Sequence, residues 1–271
     1  MTAAVPTKRQ HKPNSLPSGQ GALAWFSPIL QTSVGAKFLV ALTGIGLTGF
    51  VIMHMLGNLQ IFMGQDKLNN YAKFLKDLGP MLWVARIGLL LLLVVHMYLS
   101  IRLKLRAYHA RPIPYVHEDT IQASIASRTM LWTGLLIFIF LLFHLAHYTF
   151  GWIGTAQFIE GGQVKHVSYL DLHDPLNDPT GRHDVYSMTV FGFMNPVVSI
   201  LYIVAQVLLL MHLSHGVGSV FQTLGANSPR WQPTVRILSW AIALLVGLGN
   251  IGIVVAVWVG ALKLPPGITP G

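Results

Sequence analysis

The first long apolar segment of the chain runs from Phe38 to Phe62 and reads FLVALTGIGLTGFVIMHMLGNLQIF. It contains no Asp, Glu, Lys or Arg, and about 20 apolar residues in a helix suffice to cross the hydrocarbon core of a bilayer. The segment is too long for the apolar core of a signal peptide, and no small-residue cleavage pattern follows it. It therefore predicts a membrane-spanning helix.

Four further segments have the same character. Runs without acidic or basic residues extend over 87–101, 129–159, 196–221 and 237–262. The first of these is short, but it becomes long enough when it is extended back past Arg86 to Leu82. The sequence therefore predicts an all-α integral membrane protein, a five-helix bundle with transmembrane helices at about 34–62, 81–108, 128–152, 196–222 and 235–262.

The composition of the whole chain agrees with this fold class. Of the 271 residues, 53% are hydrophobic and 10% are charged, whereas a soluble domain carries about 25% charged residues. The formal net charge is +9, but the basic residues are few and separated by apolar runs, so we expect contact with membrane lipid and not with nucleic acid. Because the chain has no cysteine, its own thiolates cannot hold zinc or an iron–sulfur cluster.

The predicted membrane domain covers 33–264. Residues 1–32 are polar and rich in Pro, Gly and Ser, which predicts an N-terminal tail with a short interfacial piece at 23–26, and 265–271 form a C-terminal tail. The segments 63–80 and 153–195 are predicted to be loops on the outer side. Pro112 and Pro114 predict the end of the second helix.

The distribution of charge predicts an orientation in the membrane. If the N-terminal segment and the loops at 102–128 and 222–236 lie on one side, that side carries eleven basic and two acidic residues, which accounts for the whole +9. The other side carries seven of each. The positive-inside bias then places the N-terminus in the cytoplasm and the C-terminus outside.

Histidines are the notable polar residues inside the predicted helices. The central spans contain no Asp or Glu, which argues against a proton-coupled pump, since such proteins need intramembrane carboxylates. Four consecutive helices supply histidines, at His54, at His96, at His144 and His147, and at His212 and His215. Histidine pairs across helices are a recurring means of holding haem iron, so the pattern predicts axial haem ligands.

The depths of these histidines sort them into two pairs. His54 and His144 lie about 16 to 20 residues from the cytoplasmic ends of helices that run outward, so at about 1.5 Å per residue both fall in the outer half of the membrane. His96 and His212 lie about 15 residues from the outer ends of helices that run inward, and therefore in the inner half. The sequence predicts one outer and one inner haem.

Two of these positions have an alternative ligand three residues later. His212 is preferred over His215 because Gly216 stands four residues after His212, on the same helix face. The spacing does not decide between His144 and His147, which face similar directions.

Several motifs resemble the cytochrome b membrane anchor of bacterial succinate:quinone oxidoreductases, the family of succinate dehydrogenase (complex II) and fumarate reductase. The similarity runs from about Ser33 to the fifth helix, and its combination of motifs is specific. The motifs are HMLGNL at 54–59, NNYAKFL at 69–75, LGPMLWVAR at 78–86, ARP at 110–112, FHL at 143–145 and HLSHGVGSVFQTLG at 212–225. The chain is similar to the single-chain, five-helix class with two haems.

This resemblance implies an activity and partners. In that family a flavoprotein subunit oxidises succinate or reduces fumarate, and an iron–sulfur subunit connects it to the anchor. The anchor holds two b-type haems through pairs of histidines and binds a quinone, most often menaquinone. The resemblance favours His144 as the ligand and implies a multi-pass protein of the bacterial cytoplasmic membrane, in which succinate never touches this chain.

Further residues are candidates for contacts with the haem and the quinone. Haem propionates are anionic and favour basic and hydroxyl partners, for which the candidates are Gln31, Ser33, Lys37, Arg86 and Arg128. A quinone needs a hydrogen-bond donor at each carbonyl, and the candidates in the 63–80 segment are Asn69, Tyr71 and Lys73.

Three other functions are alternatives at this stage. One is the anchor cytochrome of another quinone-linked enzyme, such as a formate dehydrogenase or a nitrate reductase. The second is a haem-free transporter or proton channel lined by histidines, and the third is a haem-free structural anchor. Haem content and the identity of co-purifying subunits distinguish them.

Overall fold

The computed structural model of the protein describes residues 32–110, 123–160, 163–173 and 181–265. The predicted N-terminal tail up to Gln31, its interfacial piece at 23–26 and the C-terminal end from 266 lie outside the described residues.

Helices dominate the described part of the chain. They are α1 (Ser33–Asn58), α2 (Gln65–Asp77), α3 (Pro80–His109), α4 (Ile125–Arg128), α5 (Met130–His144), α6 (Val185–Met194), α7 (Pro196–Thr223) and α8 (Gln232–Trp258). A 3-10 turn, Leu59–Met63, continues α1, and a π-helical turn, Leu145–Thr149, continues α5. The strands β1 (Thr155–Glu160) and β2 (Gln163–Ser168) form an antiparallel hairpin, which a 3-10 turn, Tyr169–Asp171, follows.

Five of these helices are long and apolar enough to cross a membrane: α1 with its 3-10 turn, α3, α5 with its π turn, α7 and α8. This confirms the prediction of five such segments. The third ends at Thr149 and not near 152, and a separate helical turn, α4, precedes it. The fifth spans Gln232–Trp258 and so lies a few residues before the predicted 235–262; Pro233 is accommodated in its first turn, where a backbone N–H has no intrahelical partner.

The long helices expose apolar side chains on most of their surface. In α3 the one buried residue is Leu99, and side chains such as Leu90, Leu91 and Tyr98 are about 60% exposed. A soluble protein rarely exposes apolar patches of this extent. Burial in lipid accounts for them.

Four helix pairs build the bundle. α7 packs along α8, α1 packs along α3, and α7 also contacts α5 and α1. The start of α7 is fixed by Asn195, whose side-chain oxygen accepts hydrogen bonds from the backbone N–H groups of Val197 and Val198 at 3.0 and 3.2 Å. Pro196 follows as the first helical residue, where its fixed φ favours the helix.

The two segments predicted to be outer loops contain regular structure, so that prediction was wrong. Residues 65–77 form α2, and the segment 153–195 contains the hairpin and the buried apolar helix α6. The protein is therefore mostly helical, and the two-stranded sheet makes it not strictly all-α. In the hairpin Thr155 pairs with Ser168 and Glu160 with Gln163.

We call α2, α6 and the hairpin the capping layer. It lies at the end of the bundle where α1 and α5 end and where α3 and α7 begin. Its apolar core joins that of the long helices, since Tyr186 and Phe193 of α6 pack in one cluster with Tyr202 of α7 and Val254 of α8. The capping layer thereby covers one end of the bundle.

A buried polar network connects α2 to α6. Asp184 is 0% exposed and accepts hydrogen bonds from Gln65 Nε2 and Asn69 Nδ2, both at 2.9 Å, and from the backbone N–H of Ser187 at 3.1 Å. The last of these caps the N-terminus of α6. Since the carboxylate is surrounded by donors, its burial is compensated.

Candidate functional site

The first pair of predicted ligands lies on two different helices, with the rings edge to face. His54 of α1 and His144 at the end of α5 have ring centres 5.9 Å apart and ring planes at 85°. The His54 side chain keeps exposed surface, and it makes no hydrogen bond with any described residue. Neither of its ring nitrogens is therefore hydrogen-bonded to the described residues.

The second pair is held by two threonines in matching positions. The Thr43 hydroxyl of α1 lies 3.1 Å from His96 Nδ1 of α3, and the Thr133 hydroxyl of α5 lies 3.2 Å from His212 Nδ1 of α7. Both histidines that the sequence assigns to the inner half thus have a threonine partner on a neighbouring helix.

The threonines favour a proton on Nδ1 of each ring. The Thr43 hydroxyl donates to a backbone carbonyl of its own helix, with Leu39 O at 2.8 Å, and Thr133 donates to Met130 O at 3.1 Å. Since each hydroxyl proton is used in this way, each oxygen is left to accept from Nδ1–H. The lone pair of each neutral imidazole then lies on Nε2, the nitrogen free to bind a metal.

A glycine follows each of these threonines and lets the helices approach. A Cβ on Gly44 would lie 3.3 Å from His96 Cε1, and a Cβ on Gly134 would lie 3.2 Å from His212 Cε1. Both contacts are tighter than side chains normally make. Gly216, which the sequence associated with His212, lies against Met130 instead. A Thr-Gly dipeptide therefore lies beside each of these two histidines.

The two alternative ligands occupy different surroundings. His147 is 1% exposed and packs on Tyr148 and Tyr169, with ring centres at 4.0 and 5.5 Å. It therefore lies towards the capping layer, while His144 lies opposite His54. His215 is partly buried and forms no hydrogen bond with the described residues.

These residues fit a metal cofactor held by two histidines. An imidazole nitrogen binds a transition metal at about 2.0–2.1 Å, so two imidazoles on opposite sides of one metal have ring centres about 6 Å apart. The distance between His54 and His144 is 5.9 Å. Among the described residues no group of three or more His, Asp or Glu side chains could hold a metal ion, so a metal here would need its remaining ligands from a cofactor such as a porphyrin.

The candidate propionate partners lie at helix ends. Ser33 and Lys37 are exposed in the first turns of α1, and Arg128 is exposed at the end of α4. The guanidinium carbon of Arg86 lies 5.1 Å from the centre of the Trp83 ring, a cation–π contact. Gln31 lies outside the described residues.

The three candidate quinone residues do not converge on one point. Asn69 is 0% exposed; it donates to Asp184 and accepts from the backbone N–H of Tyr186 at 3.0 Å. Lys73 forms an exposed ion pair with Asp77 at 2.7 Å. The Tyr71 ring covers Gly57, where a Cβ would lie 3.0 Å from the phenol oxygen. Tyr71 is the one of the three whose side chain forms no hydrogen bond with the described residues.

Sequence reasoning missed the residues that hold the histidines. Besides Thr43 and Thr133, it missed Tyr202 of α7, whose hydroxyl lies 3.1 Å from His144 Nδ1 and 3.0 Å from His147 Nδ1. The Thr-Gly dipeptide occurs at 43–44, 48–49, 133–134 and 180–181, so by itself it does not single out these two threonines. The tyrosine has no local signal either.

Burial also affects titratable groups beside the capping layer. It raises the pKa of Tyr169 to about 12. Burial also lowers the pKa of His183. The hydrogen bond of this ring to the Tyr169 carbonyl partly opposes that shift; its Nε2–O distance is 2.8 Å. Both groups are therefore neutral near pH 7.

Comparison of the chain with family models, with curated proteins and with solved structures finds no match.

Proposed function

We propose that this chain is a membrane cytochrome b that holds two haems, one between His54 and His144 and one between His96 and His212. The distance of 5.9 Å between the rings of His54 and His144 carries this proposal, because it suits two imidazoles on one metal. The threonine contacts of His96 and His212 support the second site. Bound haem iron supplies one-electron transfer.

Two features of the long helices support a cytochrome over a transporter. None of these helices contains Asp or Glu, so the intramembrane carboxylates typical of proton-coupled transport are missing from them. Each inner histidine has a threonine hydroxyl at its Nδ1 and lies against a glycine of the neighbouring helix. Such a rigid environment suits a ligand that must stay in place during electron transfer.

We further propose that the chain is the anchor of a succinate:quinone oxidoreductase in the bacterial cytoplasmic membrane. The sequence motifs support this assignment, and so does the lack of cysteine, since the clusters would belong to an iron–sulfur subunit that works with a flavoprotein subunit. The charge distribution supports an orientation with the N-terminus in the cytoplasm. The basic cytoplasmic face would then receive the iron–sulfur subunit.

Quinone chemistry belongs to the same proposal. Of the three candidate residues, Tyr71 retains a hydroxyl free to donate to a quinone carbonyl. It covers Gly57, one helical turn after His54, and so lies close to the proposed outer haem. Asn69 and Lys73 already have partners in Asp184 and Asp77, which makes Tyr71 the better candidate.

Purification of the full chain in mild detergent tests the proposal. We expect a red protein whose pyridine haemochrome spectrum gives two b haems per chain, together with a flavoprotein and an iron–sulfur subunit. A colourless protein would refute the cytochrome and favour a transporter or a haem-free anchor. If the protein contains two haems but co-purifies with the subunits of a formate dehydrogenase or a nitrate reductase, the chain is still a cytochrome b, but the proposed family is wrong.

A further inference from the structure

We infer that Tyr202 is a positioning residue that sets opposite tautomers on His144 and His147, so that His144 and not His147 binds the outer haem. The inference rests on the proposed function, because it concerns the ligand of a proposed haem. Its basis is one phenol oxygen, which lies 3.1 Å from His144 Nδ1 and 3.0 Å from His147 Nδ1.

A count of hydrogens leads from this geometry to the tautomers. A phenol has one proton to donate and lone pairs with which to accept. To bind both rings, Tyr202 donates to one Nδ1 and accepts from the Nδ1–H of the other. The two neutral imidazoles therefore carry their protons on different nitrogens, and only one of them has a free lone pair on Nε2.

The position of His54 decides which ring has the free Nε2. His144 lies opposite His54 at 5.9 Å, so His144 is the ring that donates to the Tyr202 oxygen. The Tyr202 hydroxyl then donates to His147 Nδ1, and His147 keeps its proton on Nε2. That ring has no lone pair for a metal. It lies instead beside Tyr148, whose hydroxyl is buried and has no hydrogen-bond partner among the described residues.

The Tyr202 ring is held firmly enough to do this. Tyr202 is 7% exposed, and its ring packs edge-on against Phe140 and Phe193 at 4.9 and 5.0 Å. The substitution Tyr202→Phe therefore removes the oxygen and keeps the aromatic packing. An effect of this substitution reports on the hydrogen bonds.

The test is a redox titration of the full chain in its native membranes, followed by optical and electron paramagnetic resonance spectra. An acceptor on Nδ1–H makes an imidazole a stronger ligand and favours ferric iron. We expect Y202F to keep both haems, to raise the midpoint potential of the outer haem and to change its low-spin ferric signal, with the inner haem unchanged. A tenfold change in the ratio of ferric to ferrous binding corresponds to about 59 mV for one electron.

Three further variants complete the design. Thr133→Val is the matched control, because it removes a hydroxyl from the Nδ1 of His212 and should raise only the inner potential. His147→Leu should keep both haems and should raise the midpoint potential of the outer haem, as Y202F does, but by a smaller amount. In this variant the Tyr202 hydroxyl proton has no acceptor, so its oxygen is a weaker acceptor for the Nδ1–H of His144. His144→Leu should lose the outer haem.

Several results would overturn the inference. For Y202F, these are titrations and spectra identical to those of the wild type, or an equal shift of the midpoint potentials of both haems. For H147L, they are an unchanged midpoint potential of the outer haem, or loss of the outer haem while H144L retains it. Absence of haem from the wild-type protein is a different outcome, which refutes the proposed function itself.

Discussion

The two histidine pairs are held in different ways. Each inner histidine has its own threonine, Thr43 for His96 and Thr133 for His212, and each threonine is followed by a glycine that lets the helices approach. In the outer pair His54 has no hydrogen-bond partner among the described residues, and His144 shares the Tyr202 hydroxyl with His147.

The difference teaches that the inner site is built within pairs of long helices, whereas the outer site depends on more distant parts of the chain. Tyr202 belongs to the cluster that contains Tyr186 and Phe193 of α6, and His147 packs on Tyr169 next to the hairpin. A disturbance of the capping layer should therefore reach the outer site and leave the inner one intact.

The largest effect is expected from removal of a ligand. His54→Leu should lose the outer haem, and His96→Leu should lose the inner one, because each haem would keep a single axial histidine. Each variant should therefore retain about half of the haem of the wild type, as measured by haemochrome spectra of membranes containing equal amounts of protein. His215→Leu is the control and should retain both haems. If either ligand variant keeps both haems, the assignment of that histidine is wrong.

A smaller effect is expected from the two threonines. Thr43→Val and Thr133→Val keep the shape of the side chain and remove the acceptor for Nδ1–H. Loss of such a partner typically lowers metal affinity about 10- to 100-fold, and the midpoint potential of the affected haem should rise. Redox titration of both variants should show the same haem shifting in each. If the two variants shift different haems, then His96 and His212 do not share one.

The sequence alone was sufficient for the five long helices, whereas the assignment of their histidines as haem ligands stays a prediction. The lack of charged residues over some 20 positions predicts each span without knowledge of its neighbours, and helix direction then sorts the histidines by depth. Tyr202 could not be found in this way, because its role depends on how α7 packs against α5. The same is true of Asn69, which was predicted as a quinone contact in a loop but is buried against Asp184.

The capping layer was missed for a different reason. Its segments are short, and α2 and the hairpin contain charged residues, so they read as loops beside five long apolar runs. The helix α6 contains no charged residue but has only 10 residues. Signals were nevertheless present: Gly161-Gly162 separates two short runs with Val, Ile, Phe and Thr, which is a pattern of hairpins. The helix α2 carries Asp66 in its first turn and Lys76 in its last, as the helix dipole favours.

A still smaller effect, which separates the two sites, is expected from Asp184. Asp184→Ala removes the acceptor of Gln65 and Asn69 and the cap of α6, and a buried group left without a partner costs about 1–3 kcal/mol. Hydrogen exchange in α6 should become faster, and the outer haem should be lost on heating before the inner one. Lys73→Ala is the control, since its exposed pair with Asp77 contributes about 0.3–0.5 kcal/mol. Simultaneous loss of both haems would show that the sites are not independent of each other.

The smallest effect is expected from pH, through His183. Burial lowers the pKa of this ring below its usual value of 6.5; the charges of Lys76 and His173 act in the same direction, and Asp184 and the Tyr169 carbonyl act in the opposite one. As the pH falls, His183 takes up a proton in the unfolded state before it does so in the folded state. The folded state therefore has the full stability contribution of neutral His183 above pH 6.5 and loses it as the pH falls towards the lowered pKa. Hydrogen exchange in α6 should therefore be faster at about pH 5.5 than at about pH 7.5, after correction for the intrinsic rates. His183→Gln keeps a donor for the Tyr169 carbonyl and should remove most of this pH dependence; a dependence that persists in full would place its origin in another group.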